Sequence, residues 1–483
     1  MLPPDRFGDG ERAPHCHRGD LDHSAGIATG ARIVFAPNHR HERSFMKHPD
    51  RREFLVKSAA GVGAAALAGS LPVTALAAES PFKPEKGASL QLLRWTAFVA
   101  SDETVWNENT KKFTAATGVP VTIQNLTWND VTPKAALAAQ VGSGPDIVMG
   151  WNDDPFVYPD KLIDMTDLVD FMGKAHGGWY DNARSYCYDQ DVKRWVSFPI
   201  GCTGNAVNYR KGWAKEAGFT EFPKDLDGML KLARGLKKNG HPTGFALGHA
   251  VGDANSWTHW ILWGFGGKQA NPDNSIAINS GETSNALDYA RQLYETMIDG
   301  VAGWDDSSNN KAFAAGLIGM TMNGISIWYA EKKNDPALFP DFANATPPYG
   351  PVKTHTISNN FTSAYVFKYS KYPNAAKEYL RFMLDTGQAD RWVTEMLGYV
   401  TPALKGYSDL PIWTSNPNIT PYRDALAGAK YDGFNGKPGK AAAQALDEFV
   451  IVDMFADVCV NKMAAKDAMR KAEAKLVAIY KRA

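Results

Sequence analysis

From residue 88 onward the hydrophobic positions of the chain switch between two periods, and the order of the switches predicts the fold. Ser89–Trp95 (SLQLLRW) alternates apolar and polar side chains, as a half-buried strand does. Glu103–Thr117 follows, with Val105, Trp106, Phe113 and Ala116 at helical spacing and Gly118 as its stop. Val119–Leu126 predicts a second strand, Pro133–Val141 an Ala-rich helix ended by Gly142, and Asp146–Met149 a short buried strand. Strand, helix, strand, helix, strand in that order predicts an α/β layer with parallel strands. Such sheets bind ligands beyond the carboxyl ends of their strands, and Trp95 and Trp151 stand at two of those ends.

Further along, Trp195–Ile200 and Ala206–Tyr209 read as strands around a Gly-rich break, Gly201–Gly204. Helices are predicted at Leu226–Lys238, Thr283–Asp299 and Pro373–Thr386, and short strands at Ile318–Met322 and Ala364–Phe367. No repeat of about 20–50 residues is visible, which excludes a solenoid or propeller. A chain of 483 residues is too long for one ordinary core and suggests two or three domains.

The first 77 residues differ from the rest. Residues 1–45 hold clustered His and Arg with little apolar periodicity, and are expected to be disordered or to precede the true start at Met46. Residues 46–77 have the layout of an export signal. Lys47, Arg51, Arg52 and Lys57 precede an Ala- and Gly-rich apolar stretch, and Ala75-Leu76-Ala77 supplies a small-x-small cleavage pattern. Asp50-Arg51-Arg52-Glu53-Phe54-Leu55 resembles the twin-arginine motif, which implies export of the folded protein. The apolar stretch is a weak bilayer span, and no Cys follows it at a lipoprotein position, so a periplasmic protein without lipid anchor is expected.

Charge narrows the partners. Lys plus Arg and Asp plus Glu both number 52, and from Ala78 on the acidic residues outnumber the basic ones by two. No basic field argues for nucleic acid. Three cysteines, Cys187, Cys202 and Cys459, follow the signal, so at most one internal bridge can form; Cys187 and Cys202 flank a hairpin-like stretch and are the candidate pair. Scattered His, with no CxxC or HExxH spacing, gives no expectation of a metal, and no dinucleotide or haem motif gives one of a cofactor.

Four segments in order resemble one family. Gly144-Pro145-Asp146-Ile147-Val148, then Trp151-Asn152-Asp153-Asp154 and Lys161-Leu162-Ile163-Asp164-Met165-Thr166-Asp167, are similar to the "PDI … G-L-L-x-D-L-T" stretch of extracellular solute-binding proteins of carbohydrate ABC importers, the maltose-binding type. Phe198-Pro199-Ile200 through Asn208-Tyr209-Arg210-Lys211 resembles the family's first crossing between lobes. Ala315–Gly324 (AGLIGMTMNG) resembles its "G-K-A-A-M-x-x-x-G" strand, and Ser370-Lys371-Tyr372-Pro373-Asn374-Ala375-Ala376 with Phe382 its "S-K-N-P-x-A-A-x-x-F" helix start. The resemblance covers residues 88–483 and implies an α/β fold of two lobes with a ligand cleft and a hinge. It implies lobe one as 88–201 plus 356–410 and lobe two as 202–355 plus 411–483, with Gly201-Cys202-Thr203-Gly204 as a hinge crossing. It further implies a monomer that delivers a mono- or oligosaccharide, or a polyol, to ABC permease subunits, without turnover.

Sugars present C–H faces that stack on aromatic rings and hydroxyls that need directed donors and acceptors. Trp151, Asn152, Asp153 and Asp154 offer both within four residues at a strand end. Trp257, beside Asp253, Asn255 and Ser256, is the candidate platform in the other lobe, whereas Trp260 and Trp263 share an apolar helical face and are expected in the core. Trp95, Trp328, Asn323-Gly324 and Asn360-Phe361-Thr362 complete the candidate site, and Thr203 lies where the family contacts its ligand. Trp128 is assigned to packing or surface. The alternative function is an exported carbohydrate-active enzyme with opposed carboxylates, for which Asp153, Asp154 and Asp253 are available.

Overall fold

The computed structural model describes residues 80–483 apart from 153, 335–336, 338 and 359. The export signal and its twin-arginine motif therefore lie outside the described residues, as does the candidate Asp153.

The predicted opening is present with shifted ends. Strand β1 (Leu90–Trp95), helix α1 (Ala100–Thr117), β2 (Val121–Leu126), helix α2 (Trp128–Val141) and β3 (Ile147–Trp151) follow one another. Gly118 and Gly142 end the two helices in the left-handed conformation, with φ of 75° and 74°. Helix α2 starts five residues earlier than Pro133 suggests. Pro133 is the sixth residue of the helix, inside it, so the bond its missing N–H would make to the Asn129 carbonyl is absent and it does not mark the start.

β1 pairs in parallel with both β2 and β3, Trp95 lying level with Leu126. The same sheet takes β4 (Phe198–Thr203), and after it the chain leaves for a second sheet. That sheet holds β5 (Ala206–Arg210), β6 (Met320–Asn323) and β7 (Phe342–Ala345) in the order β6-β5-β7. The chain then returns as β8 (Asn360–Val366) and β9 (Thr401–Pro402), giving a six-stranded first sheet in the order β9-β4-β8-β3-β1-β2. The result is an α/β protein of two lobes, one on each sheet.

Strand β4 runs unbroken through Gly201, where a Gly-rich break was expected. A Cβ at Gly201 would lie 2.2 Å from the Thr401 carbonyl oxygen, so this glycine serves the close approach of β9 to β4. The crossing itself is shorter, at Gly204-Asn205.

Two apolar cores support the sheets. The first surrounds the parallel strands, where a buried Arg94 pairs with buried Asp102, lies 4.7 Å over the Trp95 ring, and shares Asp102 with the Trp392 indole N–H at 2.7 Å. The second centres on helix α3 (Asp253–Gly264), all of whose residues are buried. Trp413, Ile419, Tyr422 and Leu426 pack in the first core, which also takes in Ala206 and Phe342 of the second sheet.

Cys187 and Cys202 are not bridged. Cys202 remains a buried thiol that accepts from Asn182 Nδ2 at 3.6 Å, inside a strand held on both sides by β8 and β9.

Candidate functional site

The ends of the parallel strands carry a stack of aromatic rings. Trp95 and Trp151 lie 4.7 Å apart, and Trp151 stacks on Trp128 at 3.7 Å with the planes 8° apart. Phe98, in the loop after β1, stacks on the other neighbour of the group, 5.9 Å from Trp128. Trp128 is the outermost indole. Its ring lines three adjoining cavities, whereas Trp95 and Trp151 stand behind it.

The central cavity, about 20 Å³, lies where the two sheets meet. From the first sheet come Thr203, at the end of β4, and Asn360, at the start of β8, paired by register. From the second come Asn323, at the end of β6, then Gly324 and Ser326. Asp253, the first residue of α3, and Asp306 line it as well, together with Phe98, Trp128 and Tyr399. Two larger cavities flank it. One, about 350 Å³, runs from Trp128, Thr132 and Pro133 to His249, Asp447 and Phe449. The other, about 340 Å³, separates Thr96–Phe98 from Asp305–Ser307. Together they form a cleft between the lobes, with Trp128 common to every part.

The polar atoms of the central cavity are built and underused. Asp306 Oδ1 accepts from the Gly252 and Asp253 amides at 2.9 and 2.7 Å, which fixes its carboxylate, while its Oδ2 has no partner. Asp253 Oδ2, Thr203 Oγ1 and the Trp128 indole N–H are also buried without partners. Gly252 permits this arrangement: a Cβ there would lie 2.6 Å from Asn360 Nδ2 and 3.1 Å from Asp306 Oδ1. Burial, and then the charge of Asp306, hold the Asp253 carboxyl well above the carboxylate range. Burial raises Asp306 to about 6 against three backbone amides that favour its charge. A buried polar atom without a partner costs about 1–3 kcal/mol, which a ligand that supplies the partner recovers.

A second acidic group spans the lobes. Asp154 accepts from the Trp151 amide at 3.2 Å and from Thr132 Oγ1 at 3.0 Å, and burial lifts it to about 6. Both oxygens of Asp432 are buried without partners, and burial followed by the Asp154 charge lifts that carboxyl to about 8. Asp447 is raised by burial and by both neighbours. No group of three or more His, Cys, Asp or Glu among the described residues is placed to hold a metal ion.

The structure brings Thr203, Asn323, Gly324 and Asn360 of the sequence candidates to the cavity. It places others elsewhere. Trp257 is core: its indole N–H donates to the Ala246 carbonyl, and its ring packs on Phe245 and Phe455. Because α3 is buried on every side, periodicity gave no exposed face on which to set a platform. Trp328 packs on Phe339 and Phe361 stacks on Tyr186, both in the core. Thr362 is buried within the sheet opposite Trp151. Asn152 exchanges hydrogen bonds with Phe361, Oδ1 accepting from its amide at 2.7 Å, and so ties β3 to β8. Asp154 caps the Trp151 turn and does not line the central cavity.

Missed were Phe98, Trp128, Asn205, Asp253 as a lining group, Asp306, Ser326 and Tyr399. Trp128 had a signal. It stands two residues past the end of β2, and the strand-end rule that selected Trp95 and Trp151 applies to it equally.

A model of the family described as bacterial extracellular solute-binding protein matches residues 108–421. No curated protein sequence matches the chain. Several solved structures share its fold. Maltose-bound MalE3 of T. maritima superposes with a TM-score of 0.69 at 16% identity, covering 80% of this chain and 99% of that one. An ABC transporter solute-binding protein from Thermotoga lettingae bound with α-D-tagatose gives 0.71 at 18%, covering 81% and 99%. A sugar transporter structure from Arthrobacter chlorophenolicus with laminaribiose gives 0.70 at 17%, again covering 81% and 99%. With the matched segment spanning most of both lobes and their shared cleft, this chain belongs to the bacterial extracellular solute-binding proteins.

Proposed function

We propose that this protein is the periplasmic substrate-binding subunit of an ABC importer, which holds a sugar or polyol between its lobes and presents it to membrane permease subunits. One observation carries the reading: the cleft between the two sheets joins aromatic faces to buried, unengaged polar atoms, the pair of surfaces a sugar requires. The sugars and sugar ligands of the structural neighbours support it. The lobe on the six-stranded sheet and the lobe on the three-stranded sheet close on the ligand about the crossings near Gly204-Asn205 and residues 346–358. A ligand shifts that equilibrium only by binding the closed form more tightly.

The carboxylates argue for binding rather than hydrolysis. Asp253 and Asp306 are joined through the Asp253 amide, and among the described residues no carboxylate of the first lobe lines the central cavity with them. Glycoside hydrolysis needs two carboxyl groups flanking the scissile bond. Export through the twin-arginine route, release at Ala77 and action as a monomer complete the proposal.

The test is a thermal-shift screen of the protein from Ala78 onward against mono- and disaccharides and polyols. A true ligand at 100 times its dissociation constant adds about 2.7 kcal/mol of stability. Upward shifts with saturable titration, and no release of chromophore from nitrophenyl glycosides, are the expected results. Glycoside turnover lost in Asp253→Asn would favour the enzyme.

A further inference from the structure

We infer that the ligand of this cleft carries a protonated amine, seated in the central cavity between Asp253, Asp306 and the aromatic faces of Phe98, Trp128 and Tyr399. The inference rests on the cleft assigned above as the ligand site and names the chemical class that fits it, an amine-bearing sugar or polyol.

Four observations converge. The two carboxylates are each less than one-tenth exposed, and each keeps an oxygen without a partner. No Lys, Arg or His is among the residues that line the central cavity, so nothing there answers the charge of an ionised Asp306, and without a counter-charge Asp253 keeps its proton. Lys311, beside the neighbouring Asp305, is committed elsewhere: it donates to Ser307 Oγ at 2.9 Å. A neutral hydroxyl can hydrogen-bond to a carboxylate but leaves its charge buried, whereas an ammonium group supplies three donors and the counter-charge together.

The aromatic lining suits the same group. Aromatic rings attract a cation through their quadrupoles, and Phe98, Trp128 and Tyr399 line the same cavity as the two acids. Thr203 Oγ1, independent of the acids, is buried without a partner in the same cavity and offers an oxygen acceptor to one ammonium hydrogen. Size agrees as well. The central cavity of about 20 Å³ has room for about one water-sized group, which an ammonium is and a pyranose ring is not. The ring then occupies a flanking cavity of about 350 or 340 Å³, against the Trp128 indole.

Isothermal titration with matched probes tests the assignment on the protein from Ala78 onward. The probes are D-glucosamine, D-glucose and N-acetyl-D-glucosamine, the β-1,4-linked glucosamine disaccharide and cellobiose, and putrescine as a cation without a sugar. The amine-bearing member of a pair is expected to bind about tenfold or more tighter than its neutral counterpart. Asp306→Asn keeps an oxygen for the Gly252 and Asp253 amides and should abolish that preference; Asp253→Asn, which leaves Asp306 intact, is the second variant should the first not fold. Neutral sugars binding as tightly as their amines overturn the inference and leave the carbohydrate reading standing. Binding of putrescine with no response to any sugar keeps the ammonium seat and overturns the carbohydrate reading. Silence from every amine in the panel overturns the inference.

Discussion

The indoles of Trp128 and Trp151 stack 3.7 Å apart and within 8° of parallel, so that one ring faces the cleft and the other backs it. Trp151 is in turn held by Trp95, 4.7 Å away, and the Arg94 guanidinium lies over the Trp95 ring. The aromatic platform is thus anchored to the interior of the first sheet. It costs little conformational entropy to present, because its neighbours already fix its rotamer.

Truncating these rings should separate binding from folding. Trp128→Ala is expected to weaken ligand binding by about 1–3 kcal/mol, as for a modest hot spot. Trp151→Ala should cost stability of about 3–5 kcal/mol, as for other buried indoles, and weaken binding as well because Trp128 loses its support. Trp257→Ala should lower the melting temperature while the folded fraction keeps its affinity. Melting curves and titrations of the three variants decide this; unchanged affinity in Trp128→Ala would remove the platform from the site.

The buried acids give the unliganded protein a pH dependence with a definite sign. Asp432 ionises near pH 4 in an unfolded chain but holds its proton to about 8 in the fold, through burial and the Asp154 charge. Between those values the native state binds more protons than the unfolded state, so stability falls as pH rises. His259, lowered to about 4 by burial, acts in the opposite sense, but only below its unfolded value near 6.5. The clean window is therefore pH 6.5 to 8. There the wild-type melting temperature should fall, and Asp432→Asn should flatten the slope and melt no lower than wild type at pH 8. A rise across that window would contradict the burial of Asp432.

The cysteines make a simpler prediction. Burial pushes the Cys202 thiol well up and that of Cys459 up to about 12, and only a thiolate reacts readily. Native protein should resist iodoacetamide. Denatured without reductant, it should take up label at Cys187, Cys202 and Cys459 by peptide mass mapping, whereas a Cys187–Cys202 bridge would leave only Cys459 modified.

Export is tested in the cell. Replacing Arg51 and Arg52 together by Lys should hold the precursor in the cytoplasm while a general secretory reporter passes normally. Periplasmic accumulation of the double variant at wild-type level would remove the twin-arginine route.

What the sequence determined by itself was the alternation of strand and helix, the glycine stops at Gly118 and Gly142, and the ligand side of the parallel strands. These are local properties: side-chain period, left-handed φ and chain direction are set within a few residues. Three of the site residues, Thr203, Asn323 and Gly324, were reached through their places in segments that resemble the family, and Asn360 as part of the polar and aromatic run Asn360-Phe361-Thr362. Only the tertiary structure decided which tryptophan faces the cleft. Trp128, Trp151 and Trp257 are all buried, and periodicity records burial without saying whether the covering surface is core or an opposing lobe. The same holds for Asp253 and Asp306, which are 53 residues apart and meet through a backbone amide. Their partnership depends on how α3 docks against the loop before Ser307, a contact between distant segments that no local period encodes.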